Sequence, residues 1–286
     1  MTTTLRPASP ESPAPGGGRT RRWQICANGR PVGALRTTAT PRGDQCWGEI
    51  SELEVWEGSG RGRATVGALA AEEVLRGWGC SRIDADIPET ATAAARLAEA
   101  LGYRERMRNM AKHLGAGHPA PALPPGVTAR PIDAEAYPAW LDEAKAGYLH
   151  DLRASGLSEE QARAKSDADH VHLLPQGAAT PGVVLRRLYG ADGADGAVLG
   201  SLWLALRQRD LPDGRPLAWV MTVEVAPDRR GRGHGRALML LAERECLAAG
   251  VHDLGLNVFS SNEVAIGLYT SLGYRVTNRV LGKPLH

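Results

Sequence analysis

The stretch from Met221 to Gly250, MTVEVAPDRRGRGHGRALMLLAERECLAAG, constrains the fold of this chain more than any other. Val223, Glu224 and Val225 close a short apolar strand, Pro227 and Asp228 turn it, and glycines follow at alternate positions, Gly231, Gly233 and Gly235. The period then changes from two to about 3.6, because Leu238, Leu241, Ala242, Cys246 and Ala249 recur on one helical face. Strand, glycine turn and helix in that order make an anion cradle. Glycines let backbone N–H groups approach a ligand, and the first amides of a helix have no intrahelical partner. Arg230, Arg232 and Arg236 add positive charge to the same turn, which favours a pyrophosphate. A P-loop is excluded because no Lys-Ser/Thr pair follows the last glycine. A dinucleotide fingerprint is excluded because the spacing is G-x-G-x-G.

Arg230 to Gly235 fits R-x-x-G-x-G and resembles the acyl-CoA signature of the GCN5-related N-acetyltransferase (GNAT) family, in which this turn wraps the CoA pyrophosphate. A second block, LGLNVFSSNEVAIGLYTSLGYRV (Leu254 to Val276), resembles the family's other signature. It is an apolar strand ending in Asn257, then an asparagine, Asn262, opening a helix, then Leu268, Tyr269, Leu272, Gly273 and Tyr274.

The resemblance implies an acyl-CoA-dependent N-acyltransferase with acetyl-CoA as co-substrate and no metal. It also implies that the strand ending at Val225 splays from its neighbour, so that Val223 and Val225 bind the pantetheine arm and a backbone N–H polarises the carbonyl. Tyr269 stands where the family places its tyrosine, and a phenol of pKa near 10 suits a thiolate leaving group. Asn262 is placed to reach the pantetheine amides, although Asn262 as a plain helix cap, or Ser260 with Glu263 as a capping box, are alternatives. Asn257 ends an apolar strand, where burial without a partner is costly, which favours a ligand or backbone contact. His234 lies inside the glycine turn and is expected to lend its N–H to the cradle.

The general base is less constrained. Several family members carry a glutamate early in the strand before the turn, where this chain has Trp219. Glu224, among valines, is the alternative, since desolvation there raises a carboxyl pKa. Glu54 holds the same place in the first half, which suits a structural role as well, and a water chain is a further alternative. His150, His170 and His172 are read as polar surface.

The order of parts repeats. GSGRGRATVGALAAEEVLRGWG is a second glycine turn and helix, with Val66, Leu69, Ala70, Glu73 and Val74 at helical spacing. Laid side by side, Gly58, Gly60 and Gly62 match Gly231, Gly233 and Gly235, and Leu101-Gly102-Tyr103 match Leu272-Gly273-Tyr274. Glu57 stands for Arg230, Ala91 for Asn262 and Ala98 for Tyr269. The first half keeps the shape and lacks the site residues.

The expected fold is therefore α/β, two tandem GNAT-like domains, each a mixed, mostly antiparallel twisted sheet with helices on both faces. Residues 1–20 are expected to be a disordered tail. Residues 21–114 make a truncated degenerate domain, 115–126 a Pro/Gly linker, and 127–286 the catalytic domain. Asn28-Gly29 reads as a two-residue hairpin turn, and Ser158 as a helix cap.

A formal net charge of +2 demands neither nucleic acid nor an anionic membrane. Cys26, Cys46, Cys80 and Cys246 lack metal spacing and read as core thiols of a reducing compartment. With no apolar leader and no run of ~20 apolar residues, the expectation is a cytoplasmic protein, monomer or homodimer. The expected reaction moves an acetyl group from acetyl-CoA to a primary amine of a small molecule. Transfer to a protein N-terminus or lysine, and a non-catalytic acyl-CoA-binding regulatory module, are the alternatives.

Overall fold

The computed structural model describes residues 3–42, 45–56, 62–115, 121–154, 157–190 and 196–285. The chain forms two compact units, and neither is a continuous segment. Unit 1 comprises Met1–Asn109, Phe259–Ser261 and Val276–His286, and unit 2 comprises Met110–Val258 and Asn262–Arg275.

Unit 1 opens with β1 (Thr3–Pro7), β2 (Ser12–Ala14), β3 (Gly18–Ala27), β4 (Arg30–Arg42) and β5 (Gln45–Val55). The segment expected to be disordered is strand instead. Thr3 to Pro7 pairs antiparallel with Trp23 to Ala27, and Leu5 packs on the cluster of Trp23, Ile25 and Leu35. One apolar residue at an alternating position suffices once β3 offers an edge. Asn28 and Gly29 turn β3 into β4 at φ 48° and 80°, as a two-residue hairpin requires.

Helix α1 (Arg63–Gly77), strand β6 (Arg82–Pro88), helix α2 (Thr92–Ala100) and strand β7 (Arg104–His113) follow, and the end of β7 from Met110 onward belongs to unit 2, beside β12. Strand β5 runs parallel to β6 only from Trp47, opposite Arg82, to Glu49, opposite Asp84. Helix α1 buries Gly67, Ala68, Ala71, Glu72 and Leu75. The expected face was one step off, because Val66 and Leu69 are exposed. Small residues on the true face let the helix lie close to the sheet, and a Cβ at Gly67 would come within 2.7 Å of Ile25. The sheet of unit 1 is closed by a distant strand, β13, defined below.

Unit 2 contains β8 (Thr128–Pro131), α3 (Tyr137–Ala154), α4 (Glu159–Leu173), β9 (Val183–Tyr189), β10 (Val198–Asp210), β11 (Pro216–Val225), α5 (His234–Ala248), β12 (Asp253–Phe259) and α6 (Glu263–Ser271). Its strands run in the order β12-β11-β10-β9-β8, antiparallel except for β11 with β12. Helices cover both faces. Trp140 and Ala144 of α3 pack with Leu185 and Trp203 on one, and on the other a Cβ at Gly200 would come within 3.1 Å of Leu238 of α5. Ser158 caps α4 in a reciprocal capping box with Gln161.

Strand β13 (Arg275–Pro284) belongs to unit 1 from Val276 onward, running antiparallel to β6 from Asn278, opposite Pro88, to Pro284, opposite Arg82. The Leu285 N–H continues the pairing by donating to the Ser81 carbonyl at 2.9 Å. In unit 2 the matching bond runs from the Leu114 N–H to the His252 carbonyl at 2.6 Å. The compact units therefore do not divide at the Pro/Gly linker. Each takes its closing strand from the far half of the sequence.

Candidate active site

Strand β11 sets the site. Opposite β10, Trp203 faces Thr222 and Leu204 faces Val220, which leaves Met221 as the extra residue of a bulge. Pairing with β12 on the other side runs only from Leu217, opposite Asp253, to Val220, opposite Leu256. Beyond the bulge β11 keeps β10 and leaves β12, so Val223 and Val225 border a notch between diverging strands. At the closed end of the notch Trp219 packs on Gly255, where a Cβ would come within 2.5 Å of the indole.

The turn follows directly. Gly231 and Gly233 have φ of 74° and 82°, and Gly233 is the N-cap of α5. A Cβ on either would meet nothing within 4 Å. The left-handed backbone, rather than crowding, requires glycine there. Gly235 is different, because a Cβ would come within 3.2 Å of Leu268 and 3.9 Å of Val225. Strand, turn helix and α6 thus meet at one residue without a side chain. His234 is the first residue of α5. Arg230, Arg232 and Arg236 are exposed around the turn. Arg230 donates from Nε to the Val225 carbonyl at 3.3 Å, and Arg236 reaches Ser271 of α6.

Tyr269 lies half-buried on α6, and burial pushes its phenol pKa up. Its ring centroid is 6.1 Å from that of Tyr274. Asn262 caps α6, its Oδ1 accepting from the Ala265 N–H at 3.1 Å. The Ser260 hydroxyl donates instead to the Glu105 carbonyl at 2.9 Å, so the alternative capping box does not form. Asn257 lies one residue past the part of β12 that pairs with β11 and is exposed, contrary to the burial expected for it.

Glu224 points to the face covered by α3, where a Cβ on Gly147 would sit 3.6 Å from its carboxylate. Burial raises the Glu224 pKa, Glu143 and Asp151 raise it further, and Arg230 opposes them. Of the helix histidines, His170 is buried and not surface. Its Nδ1–H donates to the Ser166 carbonyl at 2.7 Å, and its ring lies 5.4 Å from that of Trp203.

One residue pair escaped the sequence reading. Glu243 is buried on the core face of α5 and accepts from Lys112 Nζ at 2.7 Å, beside the buried ring of Tyr274. In unit 1, Glu72 of α1 accepts from Lys283 at 2.8 Å beside Tyr103. The signal was present as a constant offset, since Glu72 and Glu243, Tyr103 and Tyr274, and Lys112 and Lys283 are equally spaced. That spacing also places Gly62, the N-cap of α1 at φ 80°, opposite Gly233. The pairings of Gly58, Gly60 and Gly62 with Gly231, Gly233 and Gly235, and of Glu57 with Arg230, are corrected accordingly: the offset sets Gly60 against Gly231, Gly62 against Gly233 and Ser59 against Arg230. Glu57, Gly58 and Gly60 lie outside the described residues.

Fold and site together define the class, an acyl-CoA-dependent N-acyltransferase. The model of the Acetyltransferase (GNAT) family matches residues 158–274. The mycothiol acetyltransferase of Saccharomonospora viridis is 32% identical over 287 residues, covering 93% of this chain and 84% of that protein. The chain belongs to the GNAT family. It spans 54% of the length of two other curated relatives, the mycothiol acetyltransferases of Paenarthrobacter aurescens and Pseudarthrobacter chlorophenolicus.

Among solved structures, a GCN5-related N-acetyltransferase from Sphaerobacter thermophilus superposes with a TM-score of 0.60 at 21% identity, covering 93% of this chain and 81% of that one. A tandem GNAT protein from the clavulanic acid biosynthesis pathway gives 0.53 at 19% identity, covering 96% and 85%. Among the described residues, no helix is long and apolar enough to cross a membrane.

Proposed function

We propose that unit 2 transfers an acetyl group from acetyl-CoA to a primary amine of a small molecule by direct attack. The observation that carries this reading is the bulge at Met221, because it opens a notch beside Val223 and Val225 immediately before an arginine-flanked αL-glycine turn. The donor fits that chemistry: the turn offers helix N-terminal amides and exposed Arg230, Arg232 and Arg236 to a pyrophosphate, and the notch leaves strand backbone for an amide-bearing arm. Acetyl-CoA supplies the activated acetyl thioester.

The remaining work falls to this chain. Val223 and Val225 orient the arm and present a backbone N–H to developing negative charge. Glu224, made more basic by burial and by Glu143 and Asp151, takes the proton of the incoming ammonium, directly or through water. Tyr269 holds at its hydroxyl the proton for the departing thiolate. Asn262 and Asn257 border the arm.

The test begins with calorimetric titration of acetyl-CoA. One site per chain, abolished by Arg230→Glu, supports unit 2 as the enzyme, and no binding ends the transferase reading. An amine panel then identifies the acceptor. Because its relatives are named mycothiol acetyltransferases, mycothiol-type amines head the panel.

A further inference from the structure

Two cysteines far apart in sequence meet inside unit 1. Cys46 is the second residue of β5, Cys80 lies in the turn between α1 and β6, and their sulfurs stand 3.1 Å apart. The backbone that carries each is held in place. The Ser81 N–H donates to the Cys46 carbonyl at 2.9 Å, one step before the parallel pairing of Trp47 with Arg82. The Cys80 N–H donates to the Leu75 carbonyl at 3.0 Å and finishes α1. Neighbouring strands lie about 4.8 Å apart, a spacing of the order that a disulfide spans. Closing the remaining gap of about 1 Å to a bond of ~2.05 Å takes side-chain rotation and no strand movement.

The two sulfurs differ in access. Cys80 is 4% exposed and packs with Leu75, Ile83 and Leu281, whereas Cys46 is partly exposed at the border of that cluster. Burial and the adjacent Cys46 push the Cys80 thiol up to about 12, with Arg19 opposing them. Cys80 therefore rests as a thiol behind Cys46, and Cys46 is the sulfur that an incoming reagent meets. Cys26 and Cys246, on β3 and α5, are both fully buried.

We infer that Cys46 and Cys80 form a reversible disulfide in the folded chain, closed by a low-molecular-weight disulfide and reopened by the corresponding thiol. The inference is independent of the transferase reading of unit 2. Cys46, as thiolate, attacks one sulfur of the small disulfide RSSR. A Cys46–SR bond forms, the S–S bond of the reagent breaks, and the departing thiolate takes up a proton equal to the one Cys46 gave up. Cys80, its proton passed to solvent, then attacks the Cys46 sulfur and expels the second thiolate, which is protonated in turn. Two protein thiols are oxidised and one small disulfide is reduced to two thiols, so electrons and protons balance. Such a pair responds to the ratio of small thiol to small disulfide around it. Its bond ties the start of β5 to the end of α1 across 34 positions of sequence.

The test incubates the native whole chain with oxidised glutathione, denatures it, alkylates the remaining thiols and maps the peptides by mass without reduction. Two of the four cysteines are alkylated, one cross-link joins the Cys46 and Cys80 peptides, and dithiothreitol restores all four thiols. Four alkylated cysteines, a cross-link through Cys26 or Cys246, or glutathione retained on Cys46 of the unaltered chain overturns the inference. Cys80→Ser stops the reaction at one glutathione on Cys46, and Cys46→Ser leaves the other thiols free. A cross-link or adduct at Cys80 in Cys46→Ser contradicts the assigned order of attack.

In thermal melts the oxidised chain unfolds about 5–10 °C above the reduced one, because the bond restricts the unfolded state. A lower midpoint shows that the native geometry does not accommodate the bond and overturns the inference as well. Mapping and melt both use the unaltered chain, so they decide the matter even if a variant does not fold.

Discussion

The two units share a frame and differ at the notch. In both, a parallel pair of strands separates after a few residues, a left-handed glycine starts a 15-residue helix, and a buried glutamate of that helix meets a lysine from a closing strand. In unit 2 the closed end of the notch is Trp219 on Gly255. In unit 1 the corresponding pair is Glu49 and Asp84. Glu49 is half-buried, and burial, Asp86 and Asp84 all raise its pKa. Glu49, Asp84 and Asp86 gather at the unit 1 notch, with Arg82 pairing Asp84 at 2.7 Å, where unit 2 has an indole on a glycine. Ala91 and Ala98 stand there for Asn262 and Tyr269. The comparison teaches that one frame can be packed with or without the site residues, since the two units differ in side chains and not in the order of their elements.

The largest test of this equivalence is Lys112→Met against Lys283→Met. Each strands a buried glutamate, so each costs about 3 kcal/mol in chemical denaturation. A loss confined to one variant breaks the equivalence. Next, Tyr269→Phe lowers kcat about 100-fold with acetyl-CoA affinity unchanged, whereas Ala98→Tyr in unit 1 leaves the rate as it was. An unchanged rate in Tyr269→Phe removes the hydroxyl from the reaction.

The helix caps offer a smaller contrast. Asn262→Ala costs ~1 kcal/mol through the lost bond to the Ala265 N–H, and Ala91→Asn, at the matching position, gains up to that amount. Thermal melts of the two variants moving in opposite directions sharpen the comparison.

The smallest effect is linked to pH. Burial holds the folded Glu224 carboxyl above its unfolded value of 4.5, so the folded state binds that proton more tightly. Ionised Glu224 therefore costs stability above its folded pKa and nothing below the unfolded value. Glu224→Gln is accordingly more stable than the parent at pH 7, by under ~1 kcal/mol after solvent screening, and equal to it near pH 4. A stability gain that persists at pH 4 contradicts this origin. The acid limb of kcat/KM should lie above the ordinary carboxylate range and vanish in the same variant.

Much of this was legible from residue type and spacing. The glycines mark the turn because two of them need positive φ, and Leu272-Gly273-Tyr274 marks the end of α6 because Gly273, at φ 88°, turns the chain so that the Tyr274 N–H meets the Tyr269 carbonyl. The bulge at Met221 was not legible, since no residue type dictates it. Glu72 and Glu243 were hidden because a glutamate on a helix ordinarily faces water, and only a lysine remote in sequence makes its burial tolerable. The exchange of closing strands was hidden for a related reason. The two halves carry the same pattern of parts, and a pattern does not say which copy a strand will join.

That exchange has a consequence for synthesis. The sheet of unit 1 is complete only when β13 pairs with β6, and roughly 190 residues of chain separate Pro88 from Arg275. At about 5–20 residues per second, a ribosome needs on the order of 10–40 s to make that stretch. Throughout this interval the nascent chain holds β6 as an open edge, a template for pairing with another chain. Unit 1 is thus completed only after the last strand has emerged, whereas unit 2, whose closing strand is made early, needs nothing beyond Arg275.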